Sequence, residues 1–137
     1  MCSSDLGRAA FTGPLLDRID LQIDVAAIAP AMLGKQAPGE SSATIAARVR
    51  RAWDVQLTRQ GKGNARLGTR EIEQLCRLDG PGAKLLDSAM LHMHWSARAY
   101  HRVLRVARTI SDLEGAVHVQ APHVAEAVQC RRGLRDA

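Results

Sequence analysis

The sequence predicts a mostly α protein, a helical bundle preceded by one β-strand. Three observations point there. Aromatic residues are only 3% of the 137 (Phe11, Trp53, Trp95 and Tyr100), so the core must be aliphatic and alanine-rich, which suits packed helices better than a β-sandwich. From Glu40 onward, apolar residues recur at helical spacing between recognisable caps. Upstream, Ile19 to Val25 alternates apolar and polar, the period of a half-buried strand, and no companion strand follows it.

After that strand, Ala26 to Gly39 is small, Pro-bearing and loop-like, as expected of a linker. Ser41 or Ser42 can cap a helix running to about Gln60, stopped by Gly61 and Gly63. Its Ile45, Val49, Trp53 and Leu57 recur every four residues and predict a buried stripe. Thr69 is expected to cap a short helix through Leu78, with Ile72, Leu75 and Cys76 inward. Pro81 suits the first turn of the next, whose Leu85, Leu86, Ala89, Met90 and Met93 share one face. Ser96 caps a helix ending near Gly115, and Pro122 opens a last one through about Arg132, with Val124, Ala127 and Val128 inward.

The Ser96–Glu114 stretch carries the clearest two-sided pattern. At 100° per residue, Tyr100, Val103, Leu104, Ala107 and Ile110 gather on one face. Arg98, Arg102 and Arg105 gather on the other, with Arg108 flanking. An arginine stripe is either a solvated face or a phosphate-recognition surface, for nucleotide or nucleic acid. The overall charge of +5 does not choose between them, although only Lys35, Lys62 and Lys84 of the 19 basic residues are lysine.

Several other chemistries are excluded. The longest nearly apolar run, Val25 to Leu33, is too short to cross a membrane and is broken by Pro30. Cys2, Cys76 and Cys130 form no C-x-x-C, so neither a disulfide framework nor a zinc ribbon is indicated, and a reducing cytoplasm is expected. The Gly34-Lys35 and Gly61-Lys62 steps lack the earlier glycine of a phosphate-binding loop, having Ala29 and Gln56 there, and no Ser or Thr follows either lysine. His92 and His94 point to different helix faces and cannot share a metal. With His101, His118 and His123 they are expected to be surface or capping residues, so no metal site is assigned.

Four segments, in order, resemble the magnesium-chelatase-like AAA+ ATPases, in the ComM/YifB branch. They are Gly13-Pro-Leu-Leu-Asp-Arg-Ile-Asp-Leu21, Gly39-Glu-Ser-Ser-Ala-Thr-Ile45, Asn64-Ala-Arg-Leu67, and the run Ser96-Ala-Arg-Ala-Tyr-His-Arg through Leu113 followed by His123-Val-Ala-Glu-Ala127. The resemblance implies that residues 8–26 end an αβα ATPase core, 27–39 link it onward, and 40–134 form the C-terminal helical lid. Walker A, Walker B and sensor 1 would then lie upstream. Met1 to Leu6 matches a sequencing-library adaptor translated in frame, so residues 1–7 are expected to be an artefact, with the natural gene continuing upstream.

On the same resemblance Arg18 matches the arginine finger, which reaches the γ-phosphate held by a neighbouring subunit, and Arg98 matches the sensor-2 arginine at the start of a lid helix. Trp95, just before that helix, departs from the small or aliphatic residue expected. The parent is implied to be a homo-hexamer using ATP and Mg²⁺ to move along DNA, in branch migration during natural transformation. This fragment alone should be inactive. The alternative is a stand-alone helical DNA-binding module that lays its arginine stripe directly on phosphates.

Overall fold

The structure, a computed structural model, describes residues 18–23, 25–34 and 37–132. The expected artefact at residues 1–7 lies outside them. Five helices follow one another: α1 (Ser42–Gln60), α2 (Thr69–Leu75), α3 (Gly80–Met93), α4 (Ala97–Glu114) and α5 (Ala121–Arg132). Short 3₁₀ turns occur at Pro30–Met32 and Asn64–Arg66.

Local chemistry sets most of the boundaries. Ser41 accepts the Thr44 N–H at 3.2 Å and opens α1, and Gly61 ends it in the left-handed region at φ 71°. Asp79 accepts from Gly82 N–H at 2.8 Å to open α3. Ser96 accepts from Ala99 N–H at 3.3 Å to open α4, which closes on Gly115 at φ 77°. The short α2 departs from expectation. Its N-cap is Gly68, not Thr69; the Gly68 N–H donates to Glu71 Oε2 at 2.8 Å, and the helix ends at Leu75 rather than Leu78. Thr69 still starts the helix but contributes no capping bond there.

Helix α4 is central: α1, α2 and α5 pack on it, and α3 packs on α5. Leu67, Ile72, Cys76, Leu86, Val103, Leu104, Ala107, Val119, Val124 and Ala127 are buried between them. This core is aliphatic, as the aromatic count implies; Trp95 and Tyr100 only pack against its edge. The face of the Trp95 ring meets Arg131, whose guanidinium carbon lies over it, 5.7 Å from the ring centre. A parallel bridge, Leu78 to Val119, ties the α2–α3 and α4–α5 connections.

Helix α1 packs on a face other than the expected one. Ile45, Val49, Trp53 and Leu57 remain 40–52% exposed, and the buried residues are Ala52 and Gln56. The physical reason is a polar seam on the other side. Arg59 donates to Asp112 at 2.7 and 3.0 Å and to Asn64 Oδ1 at 2.9 Å. Asn64 Nδ2 donates to Asp112 at 2.9 Å and to Thr109 at 3.0 Å, and Gln56 Oε1 accepts the Asn64 N–H at 2.8 Å. Arg108 completes the seam, donating to Asp112 and to the Val117 carbonyl. Buried polar groups are tolerated when each finds its partner, and a fully connected network fixes one register of packing.

The strand expected over Ile19–Val25 does not form among the described residues; Asp24 lies outside them. A strand needs a ladder partner, and none adjoins this segment among the described residues. Instead it is held to the helices by separate bonds: Gln22 N–H donates to the Cys130 carbonyl at 2.7 Å, and Arg131 donates to the Ile19 carbonyl at 2.9 Å. Its alternating apolar side chains stay largely uncovered, with Leu21 49%, Ile23 73% and Val25 88% exposed.

Candidate functional site

The arginine face of α4 borders a cleft. Thr69, Ala97, Arg98, His101, Arg102 and Arg105 line a volume of about 370 Å³ where the start of α2 meets the first half of α4. The spacing of 98, 102 and 105 puts three guanidinium groups on one side of one helix, and Ser96 fixes where that helix begins. Arg98, in the first turn, is exposed.

The remaining arginines of the stripe are engaged by the protein, to different degrees. Arg102 Nη1 donates to the Arg18 carbonyl at 2.8 Å and pairs with the Asp20 carboxylate. Arg105 Nη2 donates to the Leu67 carbonyl at 2.8 Å, while its Nε is buried without an acceptor among the described residues. Arg108, only 5% exposed, belongs wholly to the Asp112 seam. A uniform solvated stripe would leave all four free, and so would a flat DNA-binding face; neither describes this helix.

The cleft is rich in donors. Three guanidinium groups, one hydroxyl and an imidazole surround it. That donor set fits the anionic phosphate end of a nucleotide, since guanidinium forks bond phosphate oxygens in pairs. It does not fit Mg²⁺, which takes oxygen ligands. Among the described residues no group of three or more His, Cys, Asp and Glu could hold a metal.

The structure brings Arg98 together with Arg102 and Arg105 and attaches the Arg18 backbone to the same cluster through Arg102. Arg18 itself is exposed. Motif reasoning singles out only Arg18 and Arg98, whereas helical periodicity already grouped Arg102 and Arg105 with Arg98. Nothing local in the sequence marks Asp20 as the partner of Arg102, because the two lie 82 residues apart.

Neither Cys76 nor Cys130 sits in surroundings that favour a thiolate. Burial pushes the Cys76 thiol up to about 11, so it stays protonated at neutral pH, and burial also raises Cys130. The histidines meet expectation with one refinement. His123 does cap, its Nδ1 accepting the Gln120 N–H at 2.9 Å, but it is 2% exposed and holds Glu114 at 2.8 Å through Nε2. No helix among the described residues is long and apolar enough to cross a membrane.

Residues 39–131 match the family described as magnesium chelatase, subunit ChlI C-terminal. The competence protein ComM of Haemophilus influenzae is 41% identical over 125 residues, covering 90% of this chain and 25% of that protein. YifB proteins of Escherichia coli and Salmonella typhimurium are 42% and 44% identical over 121 residues, 88% of this chain and 24% of each protein. The chain thus spans about a quarter of the length of the curated relatives it matches.

Proposed function

This chain belongs to the magnesium chelatase ChlI C-terminal family, and we propose that it serves as the helical lid and arginine-finger segment of an AAA+ ATPase of the ComM/YifB kind. The observation that carries the reading is the cleft in which Arg98, Arg102 and Arg105 converge at the start of α4. ATP with Mg²⁺ supplies the phosphoryl group to be transferred and is bound mainly by the rest of the protein.

Each residue has its own task. Arg98 offers a planar fork to the γ-phosphate from the first turn of α4, so occupancy of the cleft moves a rigid helix on which α1, α2 and α5 are packed. Arg18, exposed on the upstream segment, reaches the nucleotide of a neighbouring copy and neutralises charge developing on the transferred group. On this reading the assembly is a homo-hexamer acting on DNA, in branch migration during natural transformation; the competence name of the Haemophilus influenzae relative bears only on the link to competence.

The cleft reading is tested by ATP hydrolysis in a full-length relative carrying Arg98→Ala at the matching position. Loss of a charge-assisted bond to the γ-phosphate should lower turnover roughly 10- to 100-fold. Unchanged turnover removes Arg98 from the role. The stand-alone DNA-binding reading loses its support from the engaged arginines, and a salt-titrated gel shift on this chain separates the two. Lid function expects weak or no duplex binding, whereas tight binding with steep salt dependence would favour the module.

A further inference from the structure

The guanidinium of Arg102 has two competing destinations. It lines the cleft beside Arg98, only one helical turn away on the same face. It also donates to the Arg18 carbonyl at 2.8 Å and pairs with the Asp20 carboxylate. Its side chain is 19% exposed and that of Asp20 is 51% exposed, so the pair is open to solvent rather than sealed in the core, and only its Arg102 half lines the cleft.

The other fastenings of the upstream segment lie further along. Arg131 holds the Ile19 carbonyl and Cys130 holds the Gln22 amide, both from α5. Arg102 alone among these fastenings reaches Arg18 itself, and it does so from the helix that carries Arg98. One guanidinium therefore touches both the cleft and the backbone from which the Arg18 side chain departs. It cannot make its full set of bonds to both at once, because its donors form one fixed planar fork.

We infer that Arg102 is a positioning residue that couples the cleft to Arg18: a phosphate group in the cleft draws Arg102 away from Asp20 and the Arg18 carbonyl, loosening the segment that presents Arg18. The inference rests on the proposed reading of the cleft and adds a direction to it. Asp20 acts as an internal competitor for the phosphate, and filling the cleft of one copy alters how that copy presents Arg18 to the next.

The test uses this 137-residue chain and inorganic tripolyphosphate, with affinity read by calorimetry and residues 18–22 read by amide chemical shifts. Removing the competitor by Asp20→Asn should tighten binding about 2- to 5-fold, the scale of a partly exposed ion pair. In an Arg102→Gln background the same Asp20→Asn change should do nothing, which separates competition from a general charge effect. Tripolyphosphate should shift the amides of residues 18–22 in the unsubstituted chain and not in Arg102→Gln. Binding that depends on Arg98 but is indifferent to Asp20, or equal tightening in both backgrounds, overturns the coupling and leaves the cleft reading standing. Absence of any Arg98-dependent binding overturns both. Unchanged helical circular dichroism in each variant confirms that a fold change is not being read.

Discussion

Arg59 and Asp112, 53 residues apart in sequence, meet in a two-pronged ion pair with Nη1 and Nη2 donating at 2.7 and 3.0 Å. The Asp112 side chain is fully enclosed, and Arg108 and Asn64 also donate to it. This pair joins the end of α1 to the end of α4 and is the reason α1 turns its polar side inward. Asp112→Ala would strand two guanidinium groups, one of them buried. Breaking a buried pair from one side costs about 3–5 kcal/mol, so a loss of that order is expected in denaturant unfolding of the variant. A loss below 1 kcal/mol would mean the seam is incidental.

The same carboxylate gives the chain an acid-sensitive component of stability. Burial alone would raise its pKa, but the bonds from Arg59, Asn64 and Arg108 prevail and hold it below the ordinary value of 3.8. A folded-state value below the unfolded one means that the unfolded chain takes up the proton first. The stabilisation is therefore present above about pH 4 and is lost as pH falls through the folded value. Stability measured against pH should drop in this acid range more steeply for the unsubstituted chain than for Asp112→Ala. Parallel curves would contradict the assignment.

Helix α1 offers a direct contrast between two apolar sets. Val49, 52% exposed, should tolerate Val49→Ser within about 0.5 kcal/mol. Ile72, 0% exposed in the core, should lose about 2–5 kcal/mol as Ile72→Ala. Denaturant midpoints of the two variants settle it; a large loss at Val49 would restore the buried stripe that periodicity predicts.

That contrast also marks what can be read from the chain. Caps are local chemistry, so Ser41, Gly61, Ser96 and Gly115 disclose the ends of α1 and α4 before any fold is known. The apolar part of the inward faces of α4 and α5 is legible too, in Val103, Leu104, Ala107, Val124, Ala127 and Val128, whereas Arg108, Ser111, Asp112, His123 and Arg131 are buried beside them without any apolar signal. The packed face of α1 is not. Gln56 and Arg59 read as outward residues, and only partners from Asn64 and Asp112 make their burial tolerable. Ile19–Ile23 is legible as an alternating segment but not as a strand, since a ladder depends on a neighbour. In the cleft, Arg98 stands out through its motif and Arg102 only through its geometry, because its partners at Arg18 and Asp20 come from the far end of the chain.

On the proposed function, this chain contributes arginines to a nucleotide that is held mainly by the rest of the protein. The most direct test is ATP binding and hydrolysis by a full-length relative with Arg18→Ala at the matching position. The expected result is turnover reduced by roughly 10³–10⁵, the worth of an arginine finger, with ATP affinity unchanged. Normal turnover in that variant would contradict the claim.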